Sequence, residues 1–78
     1  MEVIFSPGTR VRIRRDLFFP DKPSGMWRSA DSRGTVVSYT RINGNYMIQF
    51  DREESPREIF RLYLTELHPL EVLAEATE

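Results

Sequence analysis

Apolar and polar residues alternate along this chain in short stretches separated by turn residues. Ser6-Pro7-Gly8 opens the first stretch, where Val11 and Ile13 share one face and Arg10, Arg12 and Arg14 share the other. That period of two predicts a β-strand. Leu17-Phe18-Phe19 continues apolar and stops at Pro20, which donates no ladder hydrogen bond. Asp21 to Asp31 contains Pro23, Ser24 and Gly25 and shows no period, so it predicts a loop. Arg33-Gly34 begins a second strand, with Val36 and Ser38 facing one way and Thr35, Val37 and Tyr39 the other. Asn43-Gly44 predicts a type I′ hairpin turn with positive φ at both residues. It leads into a strand whose Tyr46, Ile48 and Phe50 share a face. Arg52-Glu53-Glu54-Ser55-Pro56 is a charged turn. Ile59 to Tyr63 then reads as a fourth strand, with Phe60 and Leu62 on one side and Ile59, Arg61 and Tyr63 on the other. The leucines of Leu64-Thr65-Glu66-Leu67 stand three apart and predict one 3₁₀ turn, ended by Pro69. Leu70-Glu71-Val72 is the expected last strand.

Composition narrows the class. The chain has 78 residues, enough for one domain, and no cysteine, so neither disulfides nor thiolate metal sites are available. The absence of cysteine fits a reducing compartment. No apolar run approaches the roughly 18 residues of a membrane span, and Met1-Glu2-Val3-Ile4-Phe5 lacks the form of a signal peptide. The expectation is a cytoplasmic protein with no membrane span. Net charge is −1, but residues 1–41 carry eight basic against four acidic side chains, and residues 42–78 carry three against eight. Such asymmetry suggests a charged docking surface, unless the halves interleave and neutralise each other.

The elements together predict an all-β fold, a small five-stranded SH3-like barrel with a 3₁₀ turn before the last strand. The barrel would span residues 1–72, and residues 73–78 would form a flexible C-terminal tail. Four blocks carry a resemblance: Thr9-Arg10-Val11-Arg12-Ile13, Gly34-Thr35-Val36-Val37, Tyr46-Met47-Ile48-Gln49-Phe50-Asp51 and Leu64-Thr65-Glu66-Leu67-His68-Pro69-Leu70. They resemble the blocks of Tudor-type domains. Equally, they resemble the small photosynthetic barrels: the photosystem I subunit PsaE, the NdhS subunit and the variable chain of ferredoxin–thioredoxin reductase. The resemblance covers about residues 6–72 and is one of fold. Its Tudor side implies a cage for methylated Lys or Arg at Trp27, Tyr39 or Tyr46, and Phe50, with Asp51 as the accompanying acid. The competing reading makes Tyr46, Ile48 and Phe50 core. Its photosynthetic side implies an acidic protein partner for the arginine face.

Two groups of residues are candidates for partner binding. The first is the segment carrying Phe18, Phe19, Met26, Trp27 and Arg28, residue types enriched at interface centres. The second is the strand face of Arg10, Arg12 and Arg14. The leading expectation is a non-enzymatic accessory or adaptor subunit that docks on a protein partner. Nucleic-acid binding through Arg10, Arg12, Arg14, Arg28 and Arg41 is the alternative, weakened by a pI of about 5.8. No catalytic, cofactor or metal site is expected. The single histidine, His68, precedes a proline, and the glycines are isolated turn residues without a phosphate loop.

Overall fold

Alternation in the first strand translates directly into burial. Val11 and Ile13 are fully buried, while Arg10 and Arg12 lie on the opposite face. The computed structural model describes residues 5–21, 24–40 and 43–76. Its strands are β1 (Arg10–Ile13), β2 (Leu17–Phe19), β3 (Met26–Arg28), β4 (Arg33–Thr40), β5 (Asn45–Phe50), β6 (Arg57–Phe60) and β7 (Leu64–Glu66). A 3₁₀ turn occupies Arg61–Tyr63, and helix α1 spans Pro69–Ala76. Five strands form one antiparallel sheet in the order β6-β5-β4-β1-β7, and β2 and β3 form a separate hairpin. The edge strands β6 and β7 are consecutive in the chain and are joined by only the three residues of the 3₁₀ turn. At roughly 2 Å per residue, that link curls the sheet until its two ends approach. No ladder joins β6 to β7, so the sheet stays open there.

The core fills the concave side. Phe5, Val11, Ile13, Val36, Tyr46, Ile48, Phe50, Ile59 and Leu64 pack together, with Leu17, Phe19, Tyr39 and Tyr63 partly buried against them. Phe5 meets Tyr46 edge-on at 5.3 Å, and its amide donates to the Tyr46 hydroxyl at 3.2 Å. Gly34 of β4 pairs with Phe50 of β5 and packs closely on that strand. A Cβ there would lie 2.7 Å from Ile48 Cγ2 and 2.9 Å from the Gln49 carbonyl oxygen.

Several expectations are corrected. The patternless segment from Asp21 to Asp31 contains β3, which pairs with β2 residue for residue, Phe18 opposite Trp27. Three-residue strands are too short to show a period. In β4 the register shifts between Val36 and Ser38. Val37 faces away from the core as expected, but the bulge also exposes Ser38 and turns Tyr39 toward the core, against the expected alternation. The turn before β5 is longer than two residues, because Thr40 pairs with Asn45 and the Gly44 amide donates to the Thr40 carbonyl at 3.0 Å. Gly44 does have positive φ, at 72°. The strand expected over Ile59 to Tyr63 ends at Phe60, and the 3₁₀ turn lies at Arg61–Tyr63 rather than over Leu64 to Leu67. Leu64 and Leu67 are buried instead as part of β7 and the residue after it.

The largest correction is at the C-terminus. Residues 69–76 form a helix where a last strand and a flexible tail were expected. Pro69 starts the helix instead of ending a turn, since its fixed φ suits the first helical position. His68 caps it: Nδ1 accepts from the Leu70 amide at 3.1 Å, while Glu71 reaches back to accept from the His68 amide at 3.2 Å. The fold is therefore mainly β, with a five-stranded sheet, a two-stranded hairpin and one short helix. The sequence candidate Arg41 and the tail residues 77–78 lie outside the described residues.

Candidate protein-docking site

The β2–β3 hairpin divides its side chains by parity. Leu17, Phe19, Met26 and Arg28 face the sheet, and Phe18 and Trp27 face away. Phe19 packs edge-on against Phe50, with ring centres 6.2 Å apart. A chain of charges ties the hairpin down at the same place. Glu53 accepts from Arg28 Nε and from Arg57 Nε, both at 2.6 Å. Arg57 in turn donates to Asp21 at 3.0 and 2.5 Å, which holds the Asp21 carboxyl below its usual range. The guanidinium of Arg57 lies 4.3 Å from the centre of the Phe19 ring, and that of Arg28 lies 5.4 Å from Phe50.

That anchoring presents the outer pair. Phe18 and Trp27 pack at a tilt with ring centres 5.2 Å apart, yet Phe18 remains 50% and Trp27 68% exposed. The Phe18 ring lies over Gly25, in space a β-carbon would fill. On the other side of Phe18 an open groove of about 220 Å³ runs to β6 and the 3₁₀ turn, lined by Leu17, Phe18, Glu58, Ile59, Phe60 and Tyr63. Phe60 and Tyr63 meet edge-on at 5.7 Å, and Arg15 lies over Tyr63 at 5.6 Å. Glu58 accepts from the side-chain amides of Asn43 and Asn45 at 2.7 and 2.6 Å. The result is a continuous aromatic surface from Trp27 to Tyr63, bordered by one carboxylate and one guanidinium. The expected Ile59–Tyr63 strand hid the share of Phe60 and Tyr63 in this surface. Their spacing of three across a 3₁₀ turn was the signal that could have found it.

The second candidate surface is differently disposed. Arg10 and Arg12 do project from the outer face of β1, but both are engaged. Arg10 donates to Asp51 at 2.9 and 2.8 Å and to Glu75 at 3.0 and 2.7 Å. Arg12 lies 3.3 Å from Glu71 and 3.3 Å from Asp31. Arg33, not singled out in the sequence, completes the cluster at 3.0 Å from Glu75 and 3.3 Å from Glu71. Hydrogen bonds from Arg10 and then Arg33 lower the Glu75 carboxyl from 4.5 to about 2. Arg14 lies beyond the end of β1, is exposed, and makes no ion pair among the described residues. The structure thus pairs Phe18 with Trp27 and Phe19 with Met26 across the hairpin, and engages Arg28 with Glu53, while Arg10 and Arg12 are engaged by Asp51, Glu75, Glu71 and Asp31.

The aromatic-cage positions do not converge on an open pocket. Tyr46 and Phe50 are buried in the core, Tyr39 packs on Tyr46 at 4.9 Å, and Asp51 is held by Arg10. Trp27 stands apart from them on the hairpin's outer side. Among the described residues, no group of three or more His, Asp or Glu side chains is placed to hold a metal ion. No described helix is long and apolar enough to cross a membrane. Comparison with protein-family models, with curated proteins and with solved structures found no match to the chain.

Proposed function

We propose that this chain is a small SH3-like barrel, non-enzymatic and cytoplasmic, that serves as an accessory or adaptor subunit by docking a protein segment on its aromatic face. Support for the barrel reading comes from the strand order β6-β5-β4-β1-β7 and from the 3₁₀ turn between the end strands. One observation carries the docking reading: Phe18 and Trp27 pack against each other at a tilt and are left open to water. The partly buried face of the hairpin anchors them, so their exposure follows from the register. Exposed aromatic pairs of this kind are the usual anchors of interfaces.

Selection of linear peptides on the protein, followed by titration on Trp27 fluorescence, tests the reading. The free protein should show red-shifted emission that moves to the blue on binding. Trp27→Ala should weaken binding roughly thirtyfold or more, the scale of a hot spot of about 2 kcal/mol. Its unfolding midpoint should stay close to that of the parent. Unchanged affinity in Trp27→Ala, or micromolar oligonucleotide binding at about 150 mM salt with a steep salt slope, would overturn the proposal.

A further inference from the structure

We propose that the outer face of β1 and β4 is a second docking site, for an acidic helical segment of a partner protein, and that helix α1 occupies it in cis. Glu71 and Glu75 stand four residues apart, so both carboxylates point from one side of α1. Arg10, Arg12 and Arg33 receive them. Arg10 grips Glu75 with two parallel hydrogen bonds at 3.0 and 2.7 Å, and Arg33 bridges both carboxylates at 3.0 and 3.3 Å. The contacts themselves define what the face takes: two carboxylates one helical turn apart.

Helix α1 brings little else to the face. None of its residues is buried, and Leu70 and Leu73 are 68% and 59% exposed. A helix meant to stay in place would turn its leucines toward a core. Its partly buried ion pairs through Glu71 and Glu75 are its main hold on the face, and eight residues are too few for a helix to sustain itself alone. The occupant is thus held chiefly by its two carboxylates. Its receptor is firmly held, because Thr35 and Asp51 fix the Arg10 guanidinium at 2.9 and 2.8 Å from the side away from Glu75. Open clefts flank the helix, one of about 630 Å³ beside Arg10, Arg33 and Asp51 and one of about 330 Å³ beside Arg12 and Asp31. An incoming carboxylate can approach Arg12 and Arg33 through these clefts, whereas every N–H of Arg10 is taken by Thr35, Asp51 and Glu75 until α1 departs.

The test uses the full chain and a labelled, alanine-rich helical peptide carrying paired glutamates four residues apart. An isomer of the same composition with the glutamates two apart is the control. Glu71→Gln/Glu75→Gln removes the internal competitor and should bind the peptide about tenfold more tightly than the parent chain does, at roughly 100 mM salt. Adding Arg10→Gln to that variant should abolish the gain, and the spacing isomer should bind less well. Equal affinity of parent and double variant, no preference for the four-residue spacing, or stronger binding of a single-stranded oligonucleotide than of the peptide would each overturn the proposal. Should the double variant fail to fold, amide exchange in the parent decides. Saturating peptide must accelerate exchange across 70–76 without affecting β1, β4 and β5, and unchanged exchange sinks the idea.

Discussion

Single residues show how closely side-chain identity follows geometry here. Val11, Ile13, Tyr46, Ile48 and Phe50 were legible as core because strict alternation marks one face of a strand. Phe5 was not, since it lies outside any periodic stretch and its burial depends on meeting Tyr46 from far along the chain. Trp27 was legible as a contact candidate by residue type, but its exposure depends on pairing with Phe18, which composition cannot reveal. Gly34 gives the sharpest residue-scale prediction. Its hydrogen faces Ile48 and the Gln49 backbone at distances no β-carbon tolerates. Gly34→Ala must push β5 away or displace Ile48, and overpacking of this kind costs about 1–3 kcal/mol. Urea denaturation measures it, and an unchanged midpoint would show that β4 and β5 are not this close.

Elements proved readable where their signals were local and long enough. β1, β4 and β5 lie where alternation put them, whereas β3 and α1 were missed for different reasons. β3 has three residues and no period of its own. Before α1 the sequence is ambiguous: Pro69 can end a turn, but a proline followed two residues later by Glu71 also marks a helix start. The hairpin between β4 and β5 was found, but its geometry was not. Asn43-Gly44 predicted a turn that the register places in a longer loop, with Gly44 left-handed at its end. Nothing lies within 4 Å of where a Gly44 side chain would begin, so only backbone strain opposes a larger residue there. Gly44→Val should therefore destabilise the domain by about 1–2 kcal/mol through φ alone. Thermal melting checks this, and a melting temperature equal to the parent's would place the left-handed residue elsewhere.

Across the whole molecule, the charge asymmetry read from the sequence resolves into pairing between the two halves. Arg10, Arg12, Arg28 and Arg33 from the first half meet Asp51, Glu53, Glu71 and Glu75 from the second, and Arg57 meets Asp21 in the reverse sense. Composition could not distinguish this from a basic docking face, because the outcome depends on where a C-terminal helix comes to rest. Its position has a consequence for pH. Glu75 faces Arg10 of β1 and Arg33 of β4, while Asp51 shares Arg10 and Glu71 shares Arg33. Its carboxyl titrates at about 2 in the folded state against an ordinary 4.5. A lowered folded value means that the contribution of Glu75 is complete above its unfolded pKa and fades as pH falls toward the folded one. Amide protection across 73–76 should accordingly decline as pH falls between 4.5 and about 2. The core strands should keep theirs further into acid, because burial and not ion pairing holds Val11, Ile48 and Phe50. Glu75→Gln should remove most of the slope in that window while leaving the strands unchanged. Protection of α1 that survives intact near pH 2, about the folded value, would mean that something other than the carboxylate clamp secures the helix.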